Sequence, residues 1–520
     1  MTLFNVRPAK LIVPGFHPDP SICEAEKGHY VLTFSSFEYF PGLPVYESFD
    51  EGKTWSFCSH VAARPEQFTS TPLGNSQGFY APTIRYHAGT YYLIVTDVNR
   101  GAMIFTTHDL HGQWSDPMMI EGWPGIDPSL LFLDADESGS GEFEAYICGN
   151  EAGNGSEKPG IYAARINPDT AHLLSERHFL IGGVTGSNPE GPHMYKRGNT
   201  FYLMWAEGGT EAGHMECIAR SQAVFGPYEA NPDNPILTNR STHLSPQCIG
   251  HADFAPLDEQ RSLLVFLGLR TNASYPQQGF LGREAFLSSF TWNDEGWPDL
   301  KDQSFEVDPA DNGSVESSRH DWICPGVDRE QRFHVSLAET SSDGSFDSDF
   351  GGVGTQIRIA ANAAVPAPFN YSEVFAAEHG PRLIGRRQLQ MDDSFTVDVV
   401  SPVEEGWMGL VVYANRDVWA QLMYSTETQK VQLITNDHGL IAHGHSFVLN
   451  NPEGLRLQVH SSEDGYRFYA SDPSKMGECV TMGFVPCQIF AATSAGGFTG
   501  TLLSAFAHGK GEALFNVSEE

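Results

Sequence analysis

Three acidic side chains stand at the starts of similar apolar segments, a pattern that suits acid–base chemistry. Asp19 lies in FHPDPS, Asp127 in IDPSLLF and Glu190 in NPEGPH. Carboxyl groups that meet in one site raise one another's pKa, and carboxyls with separated pKa values can serve as general base and general acid. The prolines beside Asp19 and Glu190 restrict the backbone as a positioned catalytic group requires, although such prolines also simply mark the entry to a strand.

The three acids belong to a repeat that extends over roughly the first 300 residues. Five segments share a polar start, an apolar run, a turn and an aromatic-rich strand, which predicts five β-hairpins. The equivalent starts are 63, 45, 63 and 61 residues apart, and they are Asp19, Pro82, Asp127, Glu190 and His251. Each interval holds enough chain for a four-stranded sheet, so we predict a five-bladed β-propeller whose central channel gathers these residues.

The pattern changes after about residue 325. A Ser/Asp/Gly-rich loop is predicted from Glu339 to Gly354, and alternating strands follow it, namely SFTVDVV, GLVVYA, AQLMYS, KVQLIT, LRLQVH and RFYA. We therefore expect an all-β chain with two domains, a five-bladed β-propeller at residues 1–325 and a β-sandwich at residues 326–520.

The charge balance excludes one class of partner and leaves others open. The chain has 65 acidic and 31 basic residues, a net charge of −34, which repels nucleic acids and anionic membranes. The N-terminal residues lack a signal-peptide apolar core, and no apolar stretch is long enough to span a membrane. These features predict a cytoplasmic protein, or a secreted one if a signal was removed. They do not decide whether it forms a homo-oligomer.

Eight cysteines are scattered without a CxxC pair, which indicates buried thiols rather than a zinc cluster or a disulfide framework.

Residues Ser48 to Trp55, SFDEGKTW, match the S-x-D-x-G-x-T-W pattern called an Asp box in sialidases. Its Asp and Gly shape a turn while the Trp packs below, so we interpret it as a structural element that supports a propeller. A sialidase would instead need an arginine cluster and a tyrosine nucleophile.

A family resemblance rests on eight motifs that occur in order along the chain. They are PGFHPDPSI, FEYFPG, GFYAPTIRY, IDPSLLF, EGPHMYK, EGGT, IARS and LGRE. Together they resemble glycoside hydrolase family 43, in particular its β-xylosidases and α-L-arabinofuranosidases with a C-terminal β-sandwich. The resemblance implies an inverting hydrolase in which Asp19 is the general base, Glu190 is the general acid, and Asp127 orients Glu190 and raises its pKa.

The resemblance also implies roles around these acids. Arg283 in LGRE matches an arginine that reaches the terminal sugar, and Tyr80 and Phe37 match aromatic walls of the sugar site, although ordinary strand packing explains them equally well. Phe498, in a glycine-rich loop of the second domain, is expected to help close the pocket. His251 matches a channel histidine that holds a structural Ca²⁺ or a water cluster in relatives, and a hydrogen-bonded core histidine is an equal alternative.

We therefore expect an exo-glycosidase without a required cofactor that releases β-D-xylose or α-L-arabinofuranose from short xylan-derived oligosaccharides. An arabinan-directed exo-arabinofuranosidase and a non-catalytic sugar-binding propeller are the alternatives. The segment from Gly139 to Gly160 departs from the aromatic-rich pattern of the xylosidases, which leaves the choice between xylose and arabinose open.

Overall fold

The computed structural model describes residues 5–69, 71–151, 158–300, 303–308, 311, 313, 321–327, 332–337, 355–361, 382–472 and 479–518. The loop predicted from Glu339 to Gly354 lies outside this part. Contacts divide the chain into two units. The first comprises residues 1–70, 77–271 and 283–318, and the second residues 71–76, 272–282 and 319–520. The predicted domain boundary at residue 325 stays a prediction.

Five sheets hold most strands of the first unit among its described residues. The first holds β2 (Ser21–Glu26), β3 (His29–Thr33), β5 (Gly42–Ser48) and β6 (Ser56–Ala62). The short β4 (Tyr39–Phe40) precedes β5 in the chain but is not part of this sheet. The second holds β7 (Thr83–His87), β8 (Thr90–Asp97), β9 (Gly101–Thr107) and β10 (Met118–Met119). The third holds β11 (Ile126–Leu133), β12 (Glu144–Glu151), β13 (Gly160–Asn167), β14 (His172–Leu173) and β15 (His178–Ile181).

The fourth sheet follows the same up-and-down order with β16 (Glu190–Arg197), β17 (Thr200–Glu207), β18 (Met215–Ser221) and β19 (Glu229–Ala230). The fifth joins both ends of the unit. It holds β20 (Gln247–Pro256), β21 (Arg261–Leu269), β22 (Glu284–Thr291), then β1 (Asn5–Leu11) and β23 (Gln303–Val307). β1 is antiparallel to β22 and parallel to β23. The five predicted hairpins are confirmed as the first two strands of each sheet.

The Asp-box segment forms the predicted turn between β5 and β6. The Asp50 carboxylate accepts the backbone N–H groups of Lys53 (3.0 Å) and Thr54 (2.9 Å) and the Thr54 hydroxyl (2.8 Å). The Trp55 side chain is buried and donates from Nε1 to the Gly52 carbonyl. The structural interpretation of this motif is confirmed.

Two larger sheets form the second unit. The seven-stranded sheet has the order β25 (Phe333–Leu337), β26 (Thr355–Ala360), β37 (Glu512–Ser518), β28 (Ser394–Ser401), β33 (Arg456–Ser462), β34 (Gly465–Ser471) and β35 (Cys479–Pro486). The six-stranded sheet has the order β27 (Leu383–Arg387), β36 (Leu502–Lys510), β29 (Glu405–Asn415), β30 (Val418–Ser425), β31 (Lys430–Asp437) and β32 (Leu440–Val448). A two-residue strand, β24 (Cys324–Pro325), precedes them.

One hydrophobic core takes side chains from both sheets of the second unit, among them Phe395, Val397, Leu410, Leu422 and Phe515. In β33 buried and half-buried residues alternate, which is the pattern of a strand with one face on a core. This arrangement is consistent with a β-sandwich. The six strands predicted from the sequence correspond to β28, β29, β30, β31, β33 and β34, with LRLQVH beginning one residue before β33.

The described chain is nearly all β. Its helical residues are one four-residue helix, α1 (Ala492–Ala495), and the 3₁₀ turns at Pro65–Gln67 and Cys487–Phe490. Among the residues described, none of the helices has the length and apolar character needed to cross a membrane.

The prediction that the cysteines are buried thiols is confirmed for five of the eight, but Cys58 and Cys248 are half-buried and Cys479 is exposed.

Candidate active site

The first strands of three sheets begin with a break in their pairing. The register with the next strand shifts between residues 126 and 129 in β11, 190 and 193 in β16, and 250 and 253 in β20. Each break contains a residue with left-handed backbone, namely Asp127 (φ 53°), Gly191 (φ 56°) and His251 (φ 49°). A bulge of this kind redirects the neighbouring side chains, and it explains why the strand starts present polar groups.

Asp19 has the same left-handed backbone, with φ 54°, two residues before β2. Its buried carboxylate accepts hydrogen bonds from Arg283 Nη1 (2.9 Å) and from the Ser35 hydroxyl, and His251 Nδ1 is 3.7 Å from Oδ1. Burial opposes ionisation, but Arg283, His251 and Ser35 together hold the pKa of Asp19 below its usual value. Asp19 is therefore ionised near neutral pH.

Asp127 and Glu190 interact with each other and have the opposite ionisation behaviour. The Asp127 carboxyl accepts the backbone N–H of Gly191 at 3.0 Å. Burial, with Glu190 and Asp19 nearby, raises the pKa of Asp127 well above its usual value. Burial and the charge of Asp19 raise the pKa of Glu190 to about 7. The charge of Asp19 thus acts on Glu190. The influence of Asp127 on the pKa of Glu190, which the resemblance implies, stays a prediction.

Arg283 connects Asp19 to the aromatic residues. Its Nη1 also donates to the Thr210 hydroxyl at 3.0 Å, and its guanidinium lies 5.7 Å from the centre of the Phe37 ring. Phe37 is buried, and its ring centre is 5.1 Å from that of half-buried Tyr80. Burial, Asp127 and Glu38 raise the pKa of Tyr80. The predicted residues of the first unit are thus brought together.

Three further residues at this site were missed from the sequence. Ser35 donates to Asp19, Thr210 accepts from Arg283, and His214 interacts electrostatically with Asp19, Arg283 and His251. Thr210 is the last residue of the EGGT motif, so this motif could have pointed to it as a site residue. Ser35 follows β3 of the first predicted hairpin, only 16 residues after Asp19, so its place in that hairpin was also a usable signal. His214 carries no motif, because Asp19 lies far from it in the sequence.

A family model described as glycosyl hydrolases family 43 matches residues 9–298, which includes every first-unit residue discussed above. The chain belongs to glycosyl hydrolase family 43. A second model, described as the beta xylosidase C-terminal concanavalin A-like domain, matches residues 370–516 of this family 43 member. The protein is therefore a glycoside hydrolase, and the mechanism of the family is inverting.

Relatives of this family 43 chain extend over nearly its whole length. It is 32% identical to a non-reducing end α-L-arabinofuranosidase of Bacteroides ovatus, over 98% of this chain and 92% of the relative. It is 28% identical to a β-xylosidase of Bacillus subtilis, over 88% of each. A solved structure described as Bacteroides ovatus Xyloglucan PUL GH43B has a TM-score of 0.81 at 28% identity, over 98% of this chain and 99% of that one.

His251 of the family 43 chain has a packing role that the structure describes directly. Its ring lies against Gly191, where an added Cβ would be 2.9 Å from the imidazole. The carboxylate nearest to it in the ion-pair contacts, Asp19, is already bound by Arg283. Among the described residues, the group with metal-ligand spacing does not include His251.

Phe498 belongs to the second unit. Its side chain is 37% exposed, and its backbone N–H donates to the Ser76 hydroxyl at 2.7 Å. Its predicted role in closing the sugar pocket stays a prediction.

Proposed function

We propose that this family 43 enzyme is an exo-glycosidase that releases β-D-xylose or α-L-arabinofuranose from short oligosaccharides, with Asp19 as general base and Glu190 as general acid. The observation that carries the proposal is the separation of the two ionisation states. The pKa of Asp19 is lowered and that of Glu190 is raised to about 7 within one coupled group of carboxyls.

The proposed reaction needs Asp19 in its ionised form and Glu190 in its protonated form. Ionised Asp19 takes a proton from a water molecule, whose oxygen attacks the anomeric carbon. Protonated Glu190 gives its proton to the glycosidic oxygen as the bond to the leaving group breaks. Attack by water opposite the leaving group inverts the anomeric configuration, and a Michaelis complex would show the two carboxyls about 6.5–9.5 Å apart. Asp127, which binds the Gly191 N–H, would hold the backbone beside Glu190.

Leaving-group dependence separates the two roles. Asp19→Asn should lose activity on all aryl pentosides, because every substrate needs the activated water. Glu190→Gln should lose about 10²–10⁴-fold on poor leaving groups and much less on activated ones, which need little proton donation. Exposed Asp136→Asn and Glu121→Gln serve as matched controls. Equal losses of Glu190→Gln on good and poor leaving groups would rule out the general-acid role, and nearly full activity of Asp19→Asn would rule out the base.

The choice of sugar rests on the relatives. The arabinofuranosidase matches more of this chain at higher identity than the Bacillus subtilis β-xylosidase does, so α-L-arabinofuranose is the first sugar to test. A panel of aryl α-L-arabinofuranoside, aryl β-D-xyloside, and linear and branched oligosaccharides would rank kcat/KM. A chain that binds these sugars without cleaving any of them would instead be a non-catalytic propeller.

The proposed active site also depends on how the sheets of the first unit are arranged and on where the two domains begin and end. We infer that the five sheets of the first unit are the blades of one propeller and that residues 1–325 and 326–520 form the two domains, which the sheet orders and the matched ranges support. A crystal structure with another number of blades around the channel would contradict this.

A structural Ca²⁺ near His251 is a separate hypothesis that the proposed hydrolysis does not use. It predicts that Ca²⁺ raises the Tm of chelator-treated protein, and that His251→Ala removes this shift. An unchanged Tm on adding Ca²⁺ would refute it.

A further inference from the structure

A second group of chemically capable side chains lies in the first unit and shares no residue with the proposed active site. It consists of Glu47 on β5, Cys58 on β6 and His111 in the segment between β9 and β10. One ligand atom of each lies within 4.8 Å of the other two. None of the three residues has a part in the proposed hydrolysis.

Two histidines contact the Glu47 carboxylate. His111 Nε2 is 2.8 Å from Oε1, and His29 Nε2 is 2.9 Å from Oε2. The Cys58 thiol donates to the Ser56 carbonyl at 3.7 Å, and its Sγ lies within 4.8 Å of a Glu47 carboxylate oxygen. The Glu47 side chain is only 12% exposed, whereas that of His111 is 59% exposed. The group thus combines an anchored carboxylate, a half-buried thiol and a histidine that is open to solvent.

We propose that Glu47, Cys58 and His111 form a Zn²⁺ site, with His29 positioning the carboxylate. Carboxylate oxygen, thiolate sulfur and imidazole nitrogen are all zinc ligands, and a mixed set with sulfur and nitrogen disfavours Ca²⁺ and Mg²⁺. One carboxylate and one thiolate neutralise a divalent ion. A water molecule would complete the tetrahedron, because the site provides three protein ligands.

The ligand atoms need only small movements to bind the ion. Two ligands at about 2.0–2.3 Å from a tetrahedral zinc lie roughly 3.3–3.7 Å apart. His111 Nε2 and Glu47 Oε1 are 2.8 Å apart, so they would move slightly away from each other. All three ligand atoms lie within 4.8 Å of one another, so any pair that is too far apart would need to approach by only about 1 Å. Binding releases the thiol proton and leaves the proton of His111 on Nδ1, so that Nε2 can coordinate.

Zinc at this position would connect two sheets of the first unit. Glu47 and Cys58 belong to neighbouring strands of the β2–β3–β5–β6 sheet, while His111 follows β9 of the next sheet. An ion that binds only the folded arrangement stabilises it in proportion to its occupancy. The site therefore predicts a Tm that rises with Zn²⁺ concentration.

Zinc titration of the full chain tests this proposal. Chelator-treated, reduced protein should bind one Zn²⁺ per chain by calorimetry. Cys58→Ser and His111→Gln should remove this binding, and His29→Gln should weaken it about 10–100-fold through the loss of carboxylate positioning. Cys479 and His108 are exposed and lie outside the group, so Cys479→Ser and His108→Gln are the matched controls. Both control variants should bind Zn²⁺ as the unmodified protein does.

Cobalt provides a signature that does not depend on variant stability. Co²⁺ bound to the unmodified protein should give a thiolate-to-metal charge-transfer band in the near ultraviolet, and the band should be absent in Cys58→Ser but present in Cys479→Ser. Absence of saturable Zn²⁺ binding to the unmodified protein would overturn the proposal. Binding that survives in Cys58→Ser and His111→Gln would overturn it as well, and would assign the ion to another site.

Discussion

Asp19 and Glu190 show how single contacts determine the ionisation of buried carboxyls. Both are removed from water, which by itself favours the protonated form. Asp19 receives hydrogen bonds from Arg283 and Ser35 that reverse this effect. Glu190 experiences the negative charge that Asp19 retains, so the contacts that ionise one carboxyl keep the other protonated.

The pH dependence of kcat/KM follows from these two states. Glu190 must be protonated to act, and its pKa of about 7 means that activity falls as the pH rises through about 7. Asp19 must be ionised, and because its pKa is lowered, activity should persist well into the acidic range. We expect Glu190→Gln, assayed with an activated aryl leaving group, to lose the alkaline limb and keep the acidic one. An unchanged alkaline limb in this variant would show that another group titrates there.

At the residue scale the sequence identified the acids but not all of their partners. Asp19, Asp127 and Glu190 could be predicted because prolines and repeated strand starts mark them. Ser35, at the end of the hairpin that Asp19 precedes, could have been found from that pairing. His214 could not, because Asp19 lies far from it in the sequence. The sequence predicted that the acids raise one another's pKa but did not single out Asp19 as a charge that acts on Glu190, since charge coupling depends on distance and burial rather than on order in the chain.

At the scale of elements, the bulges at the strand starts are the parts that shape the site. The hairpins were predictable because a polar start, an apolar run, a turn and an aromatic-rich strand recur in each of them. The register shifts at Asp127, Gly191 and His251 were not, because a bulge needs one extra residue and leaves no distinct composition. The pairing of β1 with β22 and β23 was missed for a related reason, since no local pattern encodes a partner so distant in the chain.

Gly191 provides a test of the bulge in β16. Gly191→Ala would force an alanine into a left-handed conformation and place its Cβ 2.9 Å from the His251 ring. We expect kcat to fall about 10²-fold, because the shift displaces the N–H bound to Asp127 and the adjoining Glu190.

Gly198→Ala is the matched control, because Gly198 has φ 59° and nothing within 4 Å of an added Cβ. Gly198→Ala should lose about 1–2 kcal/mol in the free energy of unfolding, as a left-handed alanine does, and Gly191→Ala should lose more because of its contact with the His251 ring. Only Gly191→Ala should lose activity. Equal kcat values for the two variants would show that the bulge does not position the catalytic groups.

At the scale of the whole first unit, buried Asp253 on β20 connects four sheets. Its carboxylate pairs with Arg85 of β7 (2.8 and 3.1 Å) and accepts hydrogen bonds from Tyr195 of β16 (2.6 Å) and Ser21 of β2 (2.7 Å). Burial opposes ionisation, but Arg85, His193 and Tyr195 lower the pKa of Asp253 to about 2. Four distant segments thus depend on one buried charge.

Removal of this charge should destabilise the first unit. We expect Asp253→Asn to lower the free energy of unfolding by about 3–5 kcal/mol, because it leaves the Arg85 guanidinium buried without its carboxylate. Urea unfolding followed by tryptophan fluorescence measures the change, and exposed Asp136→Asn should stay within about 0.5 kcal/mol of the unmodified protein. A loss below about 1 kcal/mol for Asp253→Asn would mean that the pair contributes little to stability.

The pairing of β1 with β22 also constrains how the protein folds on the ribosome. Lys10 pairs with Leu287, so β1, which comes first among the described strands, has its antiparallel partner near the end of the first unit. At about 5–20 residues per second, the roughly 280 intervening residues take about 15–55 s to be translated. During that interval the N-terminal strand has no partner in its sheet, and nascent chains that stop before residue 284 never acquire one.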